Sequence, residues 1–221
     1  MTRSRIRAVL FDLDGTLLDT APDMIVALNI LLGQEGRAPL PYALARTQVS
    51  HGSTGMLKQA FPEIAQGDEF EALRTRFLAL YSGRLAQDTA LFAGYDIVLD
   101  TLTQNDIAWG IVTNKPAFLT EPLIKALDLA QRAGCVVSGD TLPERKPHPA
   151  PLLHAAKLLA LPPQQCIYVG DAQRDVQSAH AAGMKVLLAL YGYLGPDDQP
   201  ETWQADAQIQ SPLEILQWLG K

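Results

Sequence analysis

Cysteine, histidine and cationic side chains are all scarce in this 221-residue chain. There are two cysteines, Cys135 and Cys166, and four histidines. Two thiols cannot form a disulfide framework. Each opens a short apolar run, so both read as buried free thiols of a reducing compartment, and the expected location is cytoplasmic. Lys and Arg number 18 against 24 Asp and Glu, a formal net charge of −6. That balance argues against nucleic acid or an anionic membrane surface as a general partner. An anionic ligand must instead find a local positive site inside a negative molecule. No stretch approaches the roughly 20 apolar residues of a membrane span. The basic start MTRSRIR leads into an apolar run that breaks at Asp12, too early for a signal peptide. Repeats, low-complexity tracts and heptads are missing as well, and no specific protein partner is implied.

What is present is a normal core supply, 48% hydrophobic and 19% charged residues, enough to fold without staples. Five apolar runs read as buried strands: RAVLF to Phe11, IAWGIV to Val112, CVV to Val137, CIYV to Val169 and KVLLAL to Leu190. They are rich in β-branched residues and nearly continuous, as parallel strands covered on both faces should be. Helical spacing lies between them, with Leu119, Leu123, Ile124 and Leu127 on one face, and Leu152, Leu153, Ala156 and Leu159 on another. Alternation of this kind predicts an α/β fold with a doubly wound parallel sheet, a Rossmann-like core. Residues 20–90 break the alternation, because they contain no convincing strand. Thr20 to Asp23 reads as a capped helix start with a capping box, and the helix is expected to stop at Gly33 and Gly36. Phe70, Leu73, Phe77, Leu80 and Tyr81 mark a second helix. The expected organisation is a catalytic core of residues 1–19 and 91–221, with an all-helical cap of residues 20–90 inserted after the first strand.

Ligands of such sheets bind beyond the carboxyl ends of the strands. Polar clusters stand at those ends. Asp12-Leu13-Asp14-Gly15 follows the first strand, with Gly15 permitting a turn that brings both carboxylates to one site. Thr113-Asn114-Lys115 follows the second, Lys146 lies in the proline-stiffened segment beyond the third, and Gly170-Asp171 follows the fourth, with Asp175 near a helix start. Several carboxylates can converge only around a cation, and hard oxygen ligands suit Mg²⁺. A lysine and a hydroxyl beside them can hold a phosphoryl group. One carboxylate can then attack phosphorus while the other moves the proton.

These four segments, DLDGT, T, K and GDxxxD in order, resemble the motifs of the haloacid dehalogenase superfamily. The resemblance implies Asp12 as nucleophile and metal ligand, and Asp14 as acid/base with its backbone carbonyl on the metal. It implies Thr113 and Lys146 as phosphate contacts, Asp171 as a metal ligand, and Asp175 as its supporting carboxylate, directly or through water. Asn114 joins the expected phosphate-binding set, and Mg²⁺ is the implied cofactor. Asp14 rejects the metal-free dehalogenases, which lack an acid there. Lys58, the sole lysine of the cap, reads as an exposed helix position rather than a Schiff-base lysine.

TNKPAF and RKPHPAPLL look closest to the phosphoglycolate phosphatase-like family. The tail YGYLGPDDQPETWQADAQI and the segment VSHGSTGML resemble its subgroup acting on N-acetylmuramic acid 6-phosphate, in cell-wall sugar recycling. The expected reaction is hydrolysis of a small-molecule phosphate ester, either that compound or 2-phosphoglycolate. A phosphomutase of the β-phosphoglucomutase type is the alternative, and a non-enzymatic binding protein a third. Cap residues His51, Gly52 and Ser53 are the expected contacts to the leaving group, although His51 also reads as an exposed loop histidine. Lys115 reads either as a substrate contact or as part of the site rim. Arg174 reads as solvated, and Tyr193 and Trp203 as loop packing.

Overall fold

A computed structural model describes residues 5–219 of the chain. In chain order the elements are β1 (Ala8–Phe11), β2 (Leu18–Asp19), α1 (Ala21–Gln34), α2 (Tyr42–Arg46), α3 (Gly52–Ala60), α4 (Asp68–Ser82), β3 (Ala90–Leu91), α5 (Tyr95–Gln104), β4 (Ala108–Val112), α6 (Ala117–Ala126), β5 (Cys135–Val137), α7 (Ala150–Leu158), β6 (Cys166–Gly170), α8 (Gln173–Ala181), β7 (Lys185–Ala189) and β8 (Ala207–Ile209). Six strands form a parallel sheet in the order β5-β4-β1-β6-β7-β8. The five expected strands are its first five members. The sixth, β8, was not expected, because Ala207-Gln208-Ile209 offers one fully buried apolar side chain at a sheet edge.

Alternate side chains of each strand point to opposite faces of the sheet. Val9, Phe11, Ile167, Val169, Leu187 and Ala189 pack against α5 and α6, whereas Ala8, Leu10, Tyr168, Val186 and Leu188 pack against α7 and α8. Both faces are dry, which is why the strands read as unbroken apolar runs. On α7 the apolar face is Leu152, Ala155 and Ala156; Leu153, expected there, is 40% exposed. Cys135 and Cys166 are buried free thiols whose pKa burial pushes up, to about 12 and about 11.

Helices α1 to α4 hold a separate apolar cluster, built on Leu28, Leu31, Met56, Leu57, Phe77 and Tyr81. The helix α1 runs past Gly33, which has open space around it and costs no packing. The expected capping box at its start is absent. Thr20 makes no side-chain cap and instead donates its hydroxyl to Asp14 at 2.7 Å. Asp23 accepts from the amides of Asp88 and Thr89 and from the Thr89 hydroxyl, tying α1 to the return segment. That return crosses back through β3, which pairs antiparallel with β2 and makes a short two-stranded neck unforeseen in the sequence. No helix among the described residues is long and apolar enough to cross a membrane.

Candidate active site

β1 lies in the middle of the sheet, between β4 and β6, where the chain reverses the side on which it adds strands. A doubly wound sheet opens a crevice at that point. Register puts Phe11 level with Ile111 and Val169, so Asp12, Thr113 and Asp171 emerge together at the carboxyl edge. The Asp12 amide is fixed by the Val169 carbonyl and the Thr113 amide by the Val137 carbonyl, both at 2.9 Å. Gly15 then turns the chain with φ of +82°, and a Cβ there would meet Asp171 Oδ2 at 2.2 Å. Glycine is therefore demanded twice, by conformation and by space.

Asp12, Asp171 and Asp175 are all buried, with one carboxylate oxygen of each within 4.8 Å of the others. Asp12 Oδ1 accepts from the Leu13 amide at 2.7 Å and from Lys146 Nζ at 2.9 Å. Asp171 Oδ2 accepts from the Ser50 hydroxyl at 2.6 Å and the Tyr193 amide at 2.9 Å, while its Oδ1 is buried with no hydrogen-bond partner. A buried anionic oxygen left bare beside two other carboxylates is a costly arrangement unless a cation completes it. The donor set, oxygens alone, suits Mg²⁺. Asp175 differs: Oδ1 takes Lys146 Nζ at 2.8 Å and the Tyr168 hydroxyl, and Oδ2 takes the Ala172 amide at the start of α8.

Burial dominates the electrostatics. It pushes Asp12 up to about 7, against the pull of Lys146, and Asp171 up to about 6, with Asp175 adding to the rise. Burial acts on Asp175 in the same direction, but Lys146 and Arg174 outweigh it and hold that carboxyl below its usual range. Lys146 itself is fully buried and also donates to the Val112 carbonyl and the Tyr168 hydroxyl. Expected as a phosphate contact, it stands behind Asp12 and bridges two carboxylates. Asn114, expected in the phosphate-binding set, uses its side chain to hold the Lys146 backbone from both sides, at 2.9 and 3.1 Å.

A cavity of about 310 Å³ opens in front of Asp12 and Asp14, between the strand ends and helices α3 and α4. Thr113 and Asn114 line it from the sheet side, and His51, Gly52 and Ser53 from the helical side. Burial, then Arg174, lower the His51 pKa, so its imidazole is neutral at neutral pH. Lys115 is buried rather than at the rim. Its Nζ lies 2.9 Å from both Asp14 Oδ1 and the Tyr81 hydroxyl, and those partners outweigh burial to raise its pKa. Arg174, expected to be solvated, is packed beside the carboxylates and donates to the Ser50 carbonyl at 2.6 Å. Tyr193 is more than loop packing: its hydroxyl donates to Asp19 and accepts from the Ala21 amide, and its amide holds Asp171. Trp203 packs against the apolar cluster on the α7 and α8 face. Lys58 is an exposed helix position, as expected.

The fold and the site together define a class, α/β proteins that gather buried carboxylates beyond the carboxyl ends of a parallel sheet. Residues 9–189 match the family described as haloacid dehalogenase-like hydrolase, and the chain belongs to that family. It is 46% identical over 209 residues to a phosphoglycolate phosphatase of Xanthomonas campestris pv. campestris, covering 95% of this chain and 94% of that protein. An N-acetylmuramic acid 6-phosphate phosphatase of Pseudomonas putida is 40% identical over 211 residues, covering 96% and 95%. A crystal structure described as a predicted phosphoglycolate phosphatase from Haemophilus somnus superposes with a TM-score of 0.85 at 28% identity, covering 98% of each chain.

Proposed function

We propose that the protein is a Mg²⁺-dependent phosphomonoesterase that transfers the phosphoryl group of a small carboxylate-bearing ester to Asp12 and then to water. The observation that carries this is Asp12 at the end of the central strand, facing the cavity, with Lys146 behind it and the bare oxygen of Asp171 beside it. Asp12, Asp171 and the Asp14 backbone would hold the ion, with Asp175 supporting from behind. Bound there, Mg²⁺ would neutralise carboxylate charge and draw the phosphoryl oxygens into line.

Asp12 attacks phosphorus, forming an acyl-phosphate as the ester P–O bond breaks. Asp14 supplies the proton to the leaving oxygen and later takes one from the water that attacks phosphorus, which restores Asp12. The Thr113 hydroxyl and the backbone at Asn114 hold phosphoryl oxygens. Lys146 favours the ionised, nucleophilic form of Asp12 against the effect of burial. Residues 20–90 act as a cap that excludes water, with His51, Gly52 and Ser53 toward the leaving group. The buried free thiols fit a reducing, cytoplasmic setting.

The candidate substrates are N-acetylmuramic acid 6-phosphate and 2-phosphoglycolate, the compounds named by relatives 40% and 46% identical. Those relatives are phosphatases, which favours hydrolysis over a phosphomutase. The test is phosphate release from both esters and from simple hexose phosphates, with Mg²⁺ and with EDTA. Turnover that needs the metal and falls at least about 10³-fold in Asp12→Asn is expected. Full activity in Asp12→Asn overturns the reading, and isomerised ester in place of free phosphate points to the mutase.

A further inference from the structure

The cavity of this negative protein carries more positive charge than a phosphoryl group needs. Lys115 is occupied by Asp14 and Tyr81, while Arg174 donates to the Ser50 carbonyl and lies in the field of the carboxylate cluster. Arg145 precedes Lys146 and stands on the sheet side. Arg74 is different. It belongs to α4, on the opposite wall, and no step of the reaction proposed above uses it.

Arg74, Leu78 and Tyr81 of α4 all line the cavity. The spacing of four and then three residues puts them on one helical face. Tyr81 marks the catalytic end of that face through Lys115 and Asp14. Arg74 lies seven residues earlier, roughly 10 Å along the helix axis at 1.5 Å per residue. Its Nε donates to Ser53 Oγ at 3.3 Å, which aims the guanidinium from α4 toward α3. Its ion pair with Glu71 is weakly held, since the two side chains are 36% and 61% exposed. A guanidinium steered over a cavity, with an exposed and easily displaced acid as its partner, is suited to bidentate capture of a carboxylate.

We infer that Arg74 is a specificity residue that binds a carboxylate carried by the leaving group on its far side from the ester, with Ser53 orienting the guanidinium. The inference rests on the phosphatase reading and adds to it which residue reads the second anionic group. A carboxylate set apart from the phosphoryl group by about a sugar's width fits the distance along α4 better than one attached directly to the ester carbon.

The test compares kcat/KM for N-acetylmuramic acid 6-phosphate and N-acetylglucosamine 6-phosphate, which differ by the lactyl ether that carries the carboxylate. Wild type should favour the acid. Arg74→Gln should lower that preference at least about 10-fold through KM, about 1.4 kcal/mol, and Arg74→Lys should retain part of it. A wild type that handles the two esters equally overturns the inference and leaves the phosphatase reading standing. An Arg74→Gln protein that loses the same factor on both esters also overturns it, because the residue then serves packing or the phosphoryl group. A wild type that releases phosphate from neither ester, nor from 2-phosphoglycolate or simple hexose phosphates, takes down both.

Discussion

Replacing Lys146 by methionine removes a fully buried cation that lies 2.9 Å from Asp12 and 2.8 Å from Asp175. Methionine keeps most of the volume, so the loss is electrostatic. Breaking a buried pair by deleting one partner costs about 3–5 kcal/mol. For a domain of this length that lowers Tm by roughly 6–20 °C. The size of the loss should depend on pH. Burial already raises Asp12 to about 7, and in the variant only Arg174 and the Ala172 amide still offset the same effect on Asp175. A carboxyl raised in the folded state binds more protons folded than unfolded above its ordinary pKa, so its contribution falls as pH rises. The variant should thus lose more at pH 8 than at pH 5.5, where the abandoned carboxyls take up protons. Thermal unfolding followed by circular dichroism in EDTA at both pH values measures this. Adding Asp175→Asn to Lys146→Met should recover part of the loss at pH 8. A Tm within about 2 °C of wild type at pH 8, or a larger loss at pH 5.5, refutes the reasoning.

Other outcomes follow from the same contacts. Gly15→Ala should abolish Mg²⁺-dependent turnover, because its Cβ would collide with Asp171 Oδ2 at 2.2 Å; phosphate release and metal-induced thermal shift read this together. Mg²⁺ affinity, followed as a thermal shift, should weaken from pH 8 to pH 5.5, since Asp12 at about 7 and Asp171 at about 6 must lose their protons to bind the ion. Asp14→Asn should cost about 10²–10⁴ in kcat on a sugar phosphate and much less on p-nitrophenyl phosphate, whose leaving group needs no proton. Tyr193→Phe leaves the Ala21 amide without its acceptor and should destabilise the fold by about 1–3 kcal/mol in chemical denaturation.

The sheet was legible because both of its faces are dry. Five strands announced themselves as continuous apolar runs, and register alone then carried Asp12, Thr113 and Asp171 to one edge. Gly15 showed its turn by its position between the paired acids and Thr16. The edge strand β8 was hidden by having one fully buried apolar side chain, and the neck of β2 and β3 by being two residues long on each side. Thr20 and Asp23 illustrate a different loss. Their spacing matches a capping box, but partners outside the helix, Asp14 for one and the Asp88–Thr89 segment for the other, take both side chains. Lys115, Arg174 and Arg74 could not be placed from sequence, because a lone cation next to a motif says nothing about which acid faces it. Tyr193 had a usable signal, since it follows a strand as the other site residues do, yet its role needs Asp19, Ala21 and Asp171 brought together from distant segments.

The central claim is that Asp12 carries the phosphoryl group. Protein quenched in acid during turnover of a ³²P-labelled ester with Mg²⁺ should hold a hydroxylamine-labile label that maps to the peptide containing Asp12 and is absent from Asp12→Asn. Rapid phosphate release with no label on that peptide, together with wild-type turnover by Asp12→Asn, would contradict the account.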